Sequence, residues 1–143
     1  MTLLLRVAYA GYLECVGYLV FSPGQDAPGG ALQRVRDALA ALGLAVGSVP
    51  LEIASNVVLF VPLSLLGVFV LGRPGVLHWA GAGLLASAFI EGVQGLFLDQ
   101  RVASATDLVA NTAGAVVGAV AAALLLRSRH GAARGRVVLG GQK

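Results

Sequence analysis

The chain has 143 residues, 57% of them hydrophobic and only 12% charged, with a mean hydropathy of +0.85. Soluble domains carry about 25% charged residues, so the composition excludes an ordinary water-soluble globule and leaves room for one small membrane domain. The net charge of +3 and pI near 9.6 do not point to nucleic acid: Arg127, Arg129, Arg134, Arg136 and Lys143 are gathered behind an apolar helix, a positive-inside pattern that also suits anionic lipid headgroups.

The first apolar segment runs from about Leu3 to Phe21. No small-residue cleavage site follows it, and Ser22-Pro23-Gly24 comes next, so it is read as a membrane helix and not as a signal peptide. After a Pro/Gly-rich coil from Pro23 to Gly30, Leu32, Val35, Leu39, Leu42 and Val46 recur at spacings of three and four, with Gln33, Arg34, Arg36 and Asp37 opposite. That pattern predicts a short amphipathic helix lying in the membrane interface. Further apolar segments run from about Leu51 to Leu71, Val76 to Leu98 and Ala105 to Leu126. Each is close to the ~20 residues that span a bilayer. The expected fold is therefore all-α, a bundle of four transmembrane helices with an interfacial helix between the first and second spans. Residues 1–126 form the transmembrane domain, and 127–143 form a basic tail read as disordered.

The loops Gly72-Arg73-Pro74-Gly75 and Asp99 to Ser104 are short, which predicts that the last three spans pack as antiparallel neighbours. An even number of spans puts both termini on one side. Arg6, Arg73 and the basic tail share that side, against Arg34, Arg36 and Arg101 on the other. The excess predicts a multi-pass membrane protein with both termini in the cytoplasm. Pro62 lies inside the second span and removes the bond its nitrogen would make to the Val58 carbonyl, so a kink or a freed carbonyl is expected there. His78 and Trp79 open the third span, where aromatic anchors at the interface are usual. The lone Cys15 sits in an apolar segment, can form no internal disulfide and reads as packing.

Polar residues interrupt three of the spans in pairs: Glu52 with Asn56, Glu91 with Gln94, and Asp107 with Asn111. Within each pair the spacing is three or four, so both members share a helix face. The predicted topology puts all six in the outer third to half of the membrane, within about 10 Å of the outer helix ends. A charge at mid-bilayer costs about 2.5–3.5 kcal/mol on insertion scales, so the pairs read as one polar site inside the bundle. Asp107, Asn111, Gly114 and Gly118 form a single stripe that turns this site toward a neighbouring helix. Glu52, Glu91 and Asp107 against the lone Arg101 would sum to −2 if all were ionised, which calls for a protonated carboxyl, with Glu91 the deepest, or for a bound cation. A hydrogen-bond network that only pins the bundle together is the simpler alternative. Glu14, near the middle of the first span and four residues before Tyr18, is a secondary candidate because intramembrane carboxylates are usually functional. No Cys/His metal spacing, phosphate loop or nucleophile elbow is present, and no metal or cofactor is implied.

Taken together, Glu52-xxx-Asn56-xx-Leu59-Phe60-x-Pro62-Leu63, then Glu91-xx-Gln94, then Arg101 followed by Asp107, Leu108, Asn111, Thr112 and Gly114, resemble the VanZ-like membrane proteins. The resemblance covers roughly residues 50 to 120, with a similar helix before it; Ser64 stands where the family usually has Gly after Pro-Leu. It implies a multi-helix integral protein of the bacterial cell membrane. The founding member is associated with low-level teicoplanin resistance, and many relatives occur outside resistance clusters, which implies a general cell-envelope role as readily.

Three functions are compatible with these residues. The first is a non-enzymatic envelope protein whose outer-leaflet site binds a lipid, a cell-wall precursor or a lipoglycopeptide. The second is an intramembrane hydrolase or transferase on a lipid-linked substrate, with Glu52, Glu91 and Asp107 as acid and base and Arg101 on a phosphate; it lacks an evident nucleophile. The third is a small proton-coupled transporter built around Glu14, which leaves the outer polar cluster unexplained.

Overall fold

A computed structural model describes residues 3–21, 28–72, 75–97 and 104–140. Every regular element among them is a helix: α1 (Leu3–Phe21), α2 (Pro28–Ala41), α3 (Ser48–Leu71), α4 (Val76–Phe97) and α5 (Ala105–Gly140). Four of these, α1, α3, α4 and α5 as far as Arg129, are long and apolar enough to cross a membrane.

The helix ends follow from local chemistry. α2 stops at Ala41, five residues short of the predicted amphipathic stretch, because Gly43 adopts the left-handed region at φ 79°. There the Leu44 N–H donates to the Leu39 carbonyl and the Gly43 N–H to that of Ala40, at 2.9 Å each, the paired bonds of a Schellman cap. α3 begins at Ser48, before the predicted Leu51, because Pro50 falls in the first turn, where its missing N–H costs nothing. It ends at Gly72, left-handed at φ 64°, whose N–H donates to the Val68 carbonyl at 3.0 Å. Pro62 is accommodated inside α3, which stays helical throughout. α5 is 36 residues long, about 54 Å at 1.5 Å per residue. It continues well past its apolar span, through residues that the sequence assigns to a disordered tail.

The order of packing differs from the expectation of three antiparallel neighbours. α5 and α4 are antiparallel neighbours, but α5 also packs along α3, and it does so parallel. A Cβ at Gly114 would run into the Val57 carbonyl and Phe60, and one at Gly118 into the Val61 carbonyl and Ser64. The missing side chains let the two backbones close up, which is how membrane helices gain contact when lipid is as apolar as leucine. α3 and α4, although joined by a tight turn, touch little beyond its neighbourhood, where the Trp79 ring lies over Gly67. Trp79 is thus buried in a core with Val68, Ala119 and Ala122, and is not an interface anchor. His78 is exposed and meets it edge-on.

α1 sits at the periphery. Tyr9, Tyr12, Val16 and Val20 face the bundle, and the Tyr12 hydroxyl donates to the Leu59 carbonyl of α3, three residues before Pro62. Phe21 contacts Phe89 edge-on, with ring centroids 6.3 Å apart.

Candidate functional site

The buried residues of α4 form one stripe: Trp79, Gly83, Ser87, Glu91 and Gln94. Its lower part is a dry contact in which Gly83 packs on Ala115 of α5. Its upper part is polar, and each polar residue makes a bond to a different place in the fold.

At the top of the stripe the Gln94 Nε2 donates to the Val20 carbonyl at 2.9 Å, tying α4 to the last turn of α1. One turn lower, Glu91 Oε2 accepts the backbone N–H of Ser104 at 2.7 Å. Ser104 is the residue on which α5 starts. Its carbonyl accepts the N–H of Leu108, and its Oγ accepts the N–H of Asp107 at 3.4 Å. This is half of a capping box, with Asp107 three residues after the cap. In the complete box the acid at that position would take the N–H of the cap; here Glu91 takes it from the neighbouring helix. A further turn down α4, the Asn111 Nδ2 donates to Ser87 Oγ at 2.8 Å, with Ser87 fully buried and Asn111 95% buried. The Oδ1 of Asn111 is buried with no hydrogen-bond partner among the described residues. Buried acceptors without a donor are rare and cost about 1–3 kcal/mol.

The structure therefore brings Glu91, Gln94, Asp107 and Asn111 to one end of the bundle, between α1, α4 and α5. Glu52 is exposed on the second turn of α3, and its side chain makes no hydrogen bond among the described residues; its carbonyl accepts the Ser55 hydroxyl. Asn56 is half-buried, also without a side-chain bond among the described residues. Arg101 lies outside the described residues. Glu14 and Tyr18 are both exposed on α1 and do not bond each other. Three contributors are not legible as site residues in the sequence: Ser87, Ser104 and Tyr12. Ser87 lies four residues before Glu91, and Ser104 three before Asp107, so the helical period and the capping-box spacing were the available signals.

Elsewhere, a cavity of ≈ 360 Å³ between α2 and the start of α3 is lined by Arg36, Asp37, Ala40, Ala45, Val46 and Gly47. The Asp37 carboxylate there accepts a bond from Gln33 Nε2 at 2.8 Å.

Four membrane-length helices, with a buried carboxylate of α4 capping the start of α5, define a small multi-pass integral membrane protein. A family model described as VanZ/LLP1 matches residues 9–126, and the chain belongs to that family. The match spans α1 to α5 and includes every residue of the polar junction. No curated protein and no solved structure matches the chain significantly.

Proposed function

We propose that this chain is a non-enzymatic protein of the bacterial cell envelope, and that the junction of Glu91, Gln94, Asp107 and Asn111 binds the polar part of an amphiphile at the outer leaflet. The observation that carries this reading is the Asn111 Oδ1, a buried acceptor with no donor among the described residues, one turn below the Glu91–Ser104 bond. Gln94 and Asn111 each direct an amide N–H inside the protein, to the Val20 carbonyl and to Ser87, and neither reaches the Asn111 Oδ1. A group that completes the site must bring its own N–H or O–H. Lipid ammonium or hydroxyl headgroups, the sugar and peptide parts of cell-wall precursors, and lipoglycopeptides of the teicoplanin type all do.

Orientation rests on the cations. Arg6 near the start of α1 and Arg127 and Arg129 at the end of the α5 span lie at the end of the bundle opposite the junction. The positive-inside tendency then turns the junction outward.

Co-purified amphiphiles identified by mass spectrometry test the reading. Wild type is expected to retain one that Asn111→Ala and Glu91→Gln lose. Equal recovery from wild type and variants would sink the binding role. Teicoplanin and vancomycin susceptibility on expression of wild type and Glu91→Gln tests the resistance role separately; unchanged teicoplanin sensitivity with wild type removes it.

A further inference from the structure

We propose that two copies of this chain pair through α1, with the Glu14 carboxyls of the two copies meeting across a two-fold axis. This inference is independent of the amphiphile site.

Glu14 lies seven residues before the end of α1 at Phe21 and eleven after its start at Leu3, about 10 and 16 Å from the two ends. That is mid-span. Its side chain is exposed and makes no hydrogen bond or ion pair among the described residues. It cannot turn inward. The bundle-facing stripe of α1 contains Tyr12 and Val16, and a residue two positions from each, at 100° per residue, points about 160° away. The polar junction at Glu91 is therefore out of reach.

A carboxyl facing hydrocarbon at that depth is costly unless a polar partner meets it. Lipid headgroups sit at the ends of the span, not at its middle. The occupant must offer a polar group at the same depth, and a second copy related by a two-fold axis along the membrane normal does so by symmetry. Ionisable residues inside a membrane pair with one another, and each carboxyl group then gives the other a polar partner. The rest of the face allows the approach. Val7, Ala10, Gly11 and Tyr18 surround Glu14 on the exposed side, and a Cβ at Gly11 or Gly17 would meet nothing. α1 is also the least covered of the four spans, with 6% of its apolar window buried against 39% for α5.

The test uses the full chain in liposomes over a range of protein-to-lipid ratios, with the dimer fraction read by single-molecule photobleaching. Wild type dimerises, Glu14→Gln retains the dimer through its amide, and Glu14→Leu raises the dissociation constant about tenfold, the loss of a ~1–2 kcal/mol intramembrane bond. Cys15, the single cysteine and exposed beside Glu14, gives a second readout: a flexible bismaleimide couples it to itself in wild type and less in Glu14→Leu. Emission of the buried Trp79 verifies that both variants keep the α3–α4–α5 core. A wild type that stays monomeric, a Glu14→Leu that pairs as tightly as wild type, or Cys15 coupling to a different chain overturns the proposal.

Discussion

Glu91 on α4 accepts the backbone N–H of Ser104, the first residue of the α5 cap, at 2.7 Å. One helix thus completes the N-terminus of another, and the carboxylate belongs as much to α5 as to α4. Glu91→Leu strands that N–H and is expected to lower stability by about 1–3 kcal/mol, while Glu91→Gln keeps an acceptor and loses less. Thermal unfolding followed by Trp79 emission reads the difference. Amide exchange in the first turn of α5 should also quicken in the leucine variant alone; unchanged exchange there would show that the cap is satisfied without Glu91.

The parallel seam of α3 and α5 depends on two glycines. Gly118→Ala sets a methyl against the Val61 carbonyl and Ser64, and Gly114→Ala against the Val57 carbonyl and Phe60. Backbone cannot yield as a side-chain tip can, so each change is expected to cost about 1–3 kcal/mol. Gly92→Ala, where a Cβ meets nothing, serves as the control and should leave unfolding in detergent unchanged.

Trp79 is the single tryptophan and is 4% exposed, its ring over Gly67. Its fluorescence is expected to be blue-shifted and shielded from acrylamide. Gly67→Val should displace the ring, shift emission to the red and open it to the quencher. An emission maximum that ignores this substitution would mean that the ring does not depend on Gly67 for its place.

Asn111→Leu removes both the bond to Ser87 and the unpaired Oδ1. The two losses oppose each other, so stability is expected to stay within about 1 kcal/mol of wild type. Retention of a co-purified amphiphile should fall all the same. Such a split, binding lost with stability kept, is the behaviour of a residue held for function; a large destabilisation would instead make Asn111 a structural pin.

The spans were legible because hydropathy and length are sufficient for them: α1 matches its predicted limits, and α4 begins at the predicted Val76. Ends set by backbone conformation were less so. The period of three and four runs on to Val46, but Gly43 ends α2 first, since a left-handed residue outweighs a continuing pattern. The polar pairs were visible as pairs, and spacing established that Glu52 and Asn56 share a face. Spacing does not say whether that face is covered, and Glu52 is exposed, whereas Glu91, Gln94 and Asn111 are buried. Trp79 was read from its place at a helix start, whereas its burial follows from a glycine twelve residues earlier. The position of α5 was the hardest to anticipate. A short turn makes α3 and α4 neighbours only near the turn, and the small residues of α5, Gly114 and Gly118 on one side and Ala115 on the other, let it occupy the space above.

Synthesis delivers that wedge last. The α3–α4 hairpin leaves the ribosome before the helix that fills it, and until α5 arrives Ser64 and Ser87 lack the neighbour against which each is fully buried. A chain halted before Ala105 is therefore an open clamp with polar inner walls, a ready substrate for membrane quality control, and the final helix acts as the pin that closes it.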